Sequence, residues 1–162
     1  MMFYIGAVMY RSYSPEDFAQ LYVVEEVCFQ PPFRFARRYM QQLVTSVDAA
    51  TWIAEEDGRM AGFAIVQWGR EEDEWTAYLQ TIEVLPEVRG RGVGAELLLR
   101  SEESARAAGA ERIWLHVDEE NAEAIRLYGR CGYIFEGRQE DYYQRGRAAL
   151  IGGKRLGSAL TG

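Results

Sequence analysis

Residues 84–98 read Val84-Leu-Pro-Glu-Val-Arg-Gly-Arg-Gly-Val-Gly-Ala-Glu-Leu-Leu98. Three glycines, Gly90, Gly92 and Gly94, alternate between an apolar run and a segment with helical spacing. A turn from a strand into a helix presents unpaired backbone N–H groups and the positive end of the helix dipole. That combination binds anions. Glycines there let the backbone approach a phosphate with no Cβ in the way, and Arg89 and Arg91 add charge. A plain strand-to-helix turn with solvent-exposed arginines would use the same residues. Two common phosphate loops do not fit. Gly94 is followed by Ala95-Glu96 where a Walker loop needs Lys-Ser/Thr, and "GRGVGA" spaces its glycines too closely for the dinucleotide fingerprint.

Outward from this turn the chain alternates strands and helices. Phe3–Tyr13 reads as a first strand. Ser14 before Pro15-Glu16-Asp17 caps a helix carrying Phe18, Leu21, Tyr22 and Val24–Val27, which Pro31-Pro32 ends. Phe33–Val47 reads as a second helix. Thr51–Glu55 and Met60–Trp68 are strands joined by a hairpin at Asp57-Gly58. The acidic turn Glu71–Glu74 leads to a strand over Thr76–Val84. Beyond the glycines, Ala95–Ala108 is a helix closed by Gly109, Arg112–Val117 a strand, Asn121–Arg130 a helix closed by Gly132, and Tyr133–Glu136 and Ala148–Leu156 strands. The order β α α β β β α β α β β predicts an α/β fold: one domain over residues 1–162, with helices on both faces of one mixed sheet.

Composition narrows the function classes. The 162 residues carry 18 basic and 25 acidic side chains, a net charge of −7, which argues against nucleic acid as a partner. No run approaches the ~20 apolar residues of a membrane span. The N-terminus lacks the basic and long apolar regions of a signal peptide. Cys28 and Cys131 are far apart, as suits free thiols in a cytoplasmic protein. One histidine and two separated cysteines give no metal-ligand cluster.

Arg89-Gly-Arg-Gly92-Val-Gly94 after a strand ending "IEVLP" resembles the pyrophosphate motif Arg-x-x-Gly-x-Gly of the GCN5-related N-acetyltransferases (GNAT). "LHVDEENAEAIRLYGRCGYIFEGR" (Leu115–Arg138) is similar to that family's second motif, Asn-x-x-Ala-x-x-x-Tyr-x-x-x-Gly-Phe/Tyr after a strand. The resemblance spans Thr76 to Leu156 by motif and the N-terminal half by element order. It implies acetyl-CoA as co-substrate and no metal. It also implies a strand over Ile82, Glu83 and Val84 that bulges, splays from the next parallel strand and pairs its main chain with pantetheine, so that side-chain identity matters little there. Gly90, Arg91, Gly92, Val93, Gly94 and Ala95 would wrap the diphosphate, with Arg89 adjacent. Asn121 would bond the cofactor arm, a role that competes with capping its helix. Tyr128 would sit near the sulfur and protonate the leaving thiolate, where otherwise it is a core tyrosine.

Acyl transfer needs a neutral amine. At pH 7 an α-amine, with a pKa near 7.7–8.0, needs roughly 1 kcal/mol to deprotonate and a lysine side chain about 4.6. His116, the single histidine, lies on the strand flanking the implied cofactor gap and has a pKa suited to a general base. Relatives that acetylate ribosomal-protein N-termini often carry glutamate at this position. This chain is more similar to the eukaryotic-type N-terminal acetyltransferases, which implies that Tyr78 assists His116. By the same resemblance Tyr142-Tyr143 clamp a peptide, and "CFQPPF" (Cys28–Phe33), with Phe29 and Pro31, lines the first-residue pocket. Trp68 and Trp75 are packing residues. The expected activity is acetyl transfer to a protein or peptide N-terminus by direct attack in a ternary complex. A small amine acceptor (polyamine, amino sugar or amino acid) and a non-catalytic acyl-CoA-binding module are the alternatives. The acyl length of the donor, and whether the chain is a monomer or a homodimer, stay open.

Overall fold

The computed structural model describes residues 7–157. Seven strands form one sheet in the order β1-β2-β3-β4-β5-β7-β6. They are β1 (Met9–Ser12), β2 (Ala49–Glu56), β3 (Arg59–Glu71), β4 (Glu74–Val84), β5 (Arg112–Asp118), β6 (Ile134–Gln144) and β7 (Arg147–Arg155). All neighbours are antiparallel except β4 and β5. Helices α1 (Phe18–Cys28) and α2 (Arg37–Thr45) cover one face; α3 (Val93–Ala107) and α4 (Ala122–Arg130) cover the other. The order of elements is the predicted one. Residues 3–6 of the expected first strand lie outside the described residues.

β3 is the middle of the core. Met60 to Val66 are buried without interruption, as befits a central strand covered on both faces. Phe63 and Ile65 pack with Leu21 and Met40 under α1 and α2; Ala64 packs with Val93 and Leu97 under α3. Burying each of the larger side chains stabilises the fold by about 1.5–3 kcal/mol. The strands approach closely at Gly62, where a Cβ would lie 2.3 Å from the Glu83 carbonyl oxygen. Gly62→Ala is therefore expected to push β3 from β4 and lower stability by about 1–3 kcal/mol, read from a denaturant melt.

Two features of β4 build the cleft. Val66 pairs with Leu79 and Ile65 with Thr81, so Gln80 is an extra residue, a β-bulge. Bulging re-aims the strand beyond it: Ala77 and Leu79 point into the α3 side, and after the bulge Ile82 and Val84 take that side while Glu83 turns under α1. β4 also parts from β5. Their parallel pairing covers only Thr76–Tyr78 against Arg112–Trp114, and from Leu115 onward β5 is bonded to β7 alone. A wedge opens between the two strands.

Two boundaries differ from expectation in ways that matter. α2 begins at Arg37, not Phe33, because the chain before it closes a turn on the Gln30 carbonyl and then bonds to α1. The Tyr22 hydroxyl donates to the Phe35 carbonyl (2.8 Å), and the Phe35 N–H donates to Glu25 (3.0 Å). β6 runs to Gln144, well past Glu136. As a solvated edge strand it alternates no apolar residues, and so it gives no period-two signal.

Candidate active site

The wedge holds two cavities that meet. The first, about 450 Å³, runs along Ile82–Val84, beneath the α3 N-terminus, to α4. The second, about 610 Å³, lies between β4, β5, the 29–35 loop and β6. Ile82, Asn121, Ala124 and Tyr128 line both, as do Cys28 and Phe29.

At the first cavity, Gly92 caps α3 in the left-handed region at φ +80°, with open space where a Cβ would stand. The amides of Val93, Gly94 and Ala95 have no intrahelical acceptor, and all three residues line the cavity. The first helical bond is Glu96 N–H to the Gly92 carbonyl, 3.1 Å. With the dipole of a 15-residue helix behind them, these amides fit a diphosphate. The two arginines of the turn part ways. Arg89 lines the cavity, with its Nε donating to the Val84 carbonyl (2.9 Å), whereas Arg91 is paired with Glu56 away from the lining. Arg130 of α4, absent from the sequence expectations, lines the cavity as well. Asn121 caps α4, its Oδ1 accepting from Ala124 N–H at 3.1 Å, which leaves its amide nitrogen for the cleft. Glu83 lines the wall, yet its side chain is only 2% exposed, so its identity matters to packing as the sequence reading did not expect.

The second cavity holds the titratable pair. Tyr78 Oη lies 2.8 Å from His116 Nδ1, and Gln139 Oε1 lies 3.2 Å from Nε2. Gln139 thereby accepts the Nε2 proton and leaves Nδ1 as the acceptor for the Tyr78 hydroxyl. Burial is the main cause that lowers the His116 pKa below 6.5, so the ring is neutral at pH 7. Burial first, and the nearby Tyr142 next, push Tyr78 far above an ordinary phenol. Tyr142 stacks on His116 with ring centres 4.2 Å apart and planes 8° apart, and Tyr143 packs on Phe33 at 4.8 Å. Tyr128 is 7% exposed, and burial raises its pKa as well.

Phe29, Tyr142 and Tyr143 line the second cavity and Pro31 does not; Phe33 and Phe35, on a segment that stays out of the helix, and Tyr39 of α2 take its place. Gln139 was not legible. It reaches His116 across β7, and nothing local announces that sheet order. The signal for Phe33 and Phe35 was present in the aromatic run "PPFRF".

The sequence profile described as "Acetyltransferase (GNAT) family" matches residues 9–133. This chain belongs to the GNAT family. It is 39% identical over 98 residues to streptothricin acetyltransferase of Streptomyces lavendulae, a match covering 60% of this chain and 51% of that protein. Thus it spans about half the length of that relative. It is 28% identical over 147 residues to the N-alpha-acetyltransferase MAK3 of Arabidopsis thaliana, covering 90% of this chain and 76% of that one. The fold matches the crystal structure of Arabidopsis thaliana NAA60 in complex with acetyl-CoA at a TM-score of 0.81, with 20% identity, over 93% of this chain and 99% of the other. Among the described residues no helix is long and apolar enough to cross a membrane.

Proposed function

We propose that this protein transfers an acetyl group from acetyl-CoA to the α-amine of a protein or peptide N-terminus, by direct attack while both substrates are bound. The observation that carries the reading is the meeting of the two cavities at Ile82, Asn121 and Tyr128, with the His116–Tyr78 pair on one side only. The first cavity suits the donor. The open amides of Val93–Ala95 would hold the diphosphate, the edge of β4 at Ile82 and Glu83, which β5 does not reach, would bond the pantetheine amides, and Arg130 and the Asn121 amide would add donors. When bound, a thioester supplies an electrophilic acyl carbon and a thiolate leaving group.

The second cavity suits the acceptor. As the amine nitrogen bonds to the acyl carbon, its proton passes to Tyr78 Oη while Tyr78 gives its own to His116 Nδ1. A phenol held so far above its ordinary pKa relays a proton in one concerted movement rather than waiting as phenolate. Gln139 sets the tautomer that makes this direction available. Tyr128 donates a hydrogen bond to the departing sulfur. Its raised pKa makes outright transfer to a thiolate, with a pKa near 8.5, uphill, so stabilisation of charge replaces protonation.

The walls favour a peptide over a small polycation. Phe29, Phe33, Phe35, Tyr39, Tyr142 and Tyr143 make the lining aromatic. Its one acid, Asp118, is bonded at 2.9 and 3.0 Å to the Arg147 guanidinium, which leaves no carboxylate for a second ammonium group. The likeness to streptothricin acetyltransferase supports the second reading, a small-molecule amine. Purified protein, acetyl-CoA and a thiol-release readout decide between them. Peptides with apolar first residues are expected to be acetylated with kcat/KM well above that for polyamines, amino sugars and free amino acids. Turnover on small amines with inert peptides would overturn the reading.

A further inference from the structure

Beneath the cleft lie two carboxyl groups that the reaction does not use. Glu25 of α1 is 0% exposed and Glu83 of β4 is 2% exposed. One oxygen of each is satisfied: Glu25 Oε2 accepts the Phe35 N–H at 3.0 Å, and Glu83 Oε2 accepts the Thr81 hydroxyl at 2.9 Å. The Oε1 atoms of both have no other partner, and the two side chains are within hydrogen-bonding reach of each other. Buried polar atoms seldom stay unpaired, and two buried carboxylates side by side cannot both stay charged. One proton between the Oε1 atoms satisfies both. Burial raises the pKa of Glu83 well above that of an ordinary carboxyl, and that of Glu25 also, which leaves the proton on Glu83 and the charge on Glu25.

The pair joins the two halves of the site. Glu83 belongs to the wall that would bind the donor, and it reaches α1 only because the Gln80 bulge turns it there. Glu25 holds the main chain at Phe35, the end of the loop lining the acceptor cavity. We propose that Glu25 and Glu83 form a proton-sharing pair that positions the acceptor loop against the donor strand. This rests on the acetyltransferase reading of the cleft. Loss of the shared proton sets two carboxylates against each other and releases the loop.

The other titratable or charged groups facing the pair are few. Cys28, on the same helix, has a thiol pushed up to about 11 by burial and then by Glu83. Arg34 of the loop faces Glu25, and Arg89, after β4, approaches Cys28 Sγ at 3.9 Å. From β3 and α2 the interior receives Phe63, Ile65, Met40 and Leu43, all apolar.

The test compares Glu25→Ala with Glu25→Gln. The glutamine oxygen can accept from Phe35 N–H while its amide donates to Glu83, keeping both bonds with no shared proton. Glu25→Ala is expected to raise the acceptor KM about tenfold, with smaller changes in kcat and in acetyl-CoA affinity, and Glu25→Gln to restore most of the loss. A pair whose folded pKa is raised stabilises the protein at low pH and loses that stabilisation as pH rises through it. Wild-type acceptor KM should therefore climb toward alkaline pH and its melting temperature fall, both more steeply than in Glu25→Gln. A glutamine variant as impaired as the alanine one, or one tracking the wild type with pH in both readouts, would overturn the proposal. If no amine is acetylated, the cleft reading fails, and the melting curves alone decide the pair. They also decide it if Glu25→Ala does not fold.

Discussion

His116→Ala is expected to lower kcat at neutral pH by about 10²–10⁴, the usual contribution of one general base. Tyr78→Phe should fall in the same range, because the hydroxyl that faces the amine and the ring that takes its proton act as one unit 2.8 Å apart. Residues acting as a unit are not additive, so the double variant should be little worse than either single one. Steady-state rates on the best peptide measure all three. The pH profile gives a second readout. Burial lowers the His116 pKa below 6.5, so below the fall that protonation of the free α-amine gives near pH 8, wild-type kcat/KM should show a second limb on the acid side of 6.5. That limb should be missing from His116→Ala. Unchanged turnover in His116→Ala would remove the base from the mechanism. Additive losses in the double variant would separate Tyr78 from it.

Gly92→Asp is expected to weaken coenzyme A binding by about 10²-fold, as the loss of roughly 3 kcal/mol of charge-assisted bonds would do. The reason lies at the α3 N-cap. Aspartate tolerates a positive φ better than most residues and meets no neighbour at this position, so the helix survives at a backbone cost of about 1 kcal/mol. Its carboxylate, however, occupies the amides that a diphosphate would use and repels the ligand's charge. The melting temperature should stay near that of the wild type while calorimetry loses the ligand. Undiminished affinity would show that the phosphates lie elsewhere.

How far the sequence spoke for the fold can be read at particular residues. The glycine turn, the helix after it and the His116 strand were legible because local chemistry decides them: glycines at a strand-to-helix junction, a period-two face, an asparagine cap. Tyr78 and His116 were legible as partners only through resemblance, since 38 residues separate them and only parallel pairing of β4 with β5 unites them. β6 stayed short in the sequence reading because an exposed edge strand carries no apolar alternation. Gln139, which sets the His116 tautomer, sits on that unread stretch. Arg91 looked like a phosphate ligand because charge in a sequence has no direction. The fold pairs it with Glu56, while Arg89 stays on the cavity wall with its Nε on a β4 carbonyl. The Glu25–Glu83 contact was illegible in principle. It needs the one-residue bulge at Gln80, without which Glu83 would point to the opposite face of the sheet.

Acetyl transfer, the proton relay and the positioning pair all depend on the α3 N-terminus receiving the diphosphate of coenzyme A. Titration of coenzyme A into the wild-type protein by calorimetry measures this without any acceptor. A saturable association at one site per chain, lost in Gly92→Asp, is the predicted result. No heat of association across several temperatures, with the protein folded throughout, would contradict it.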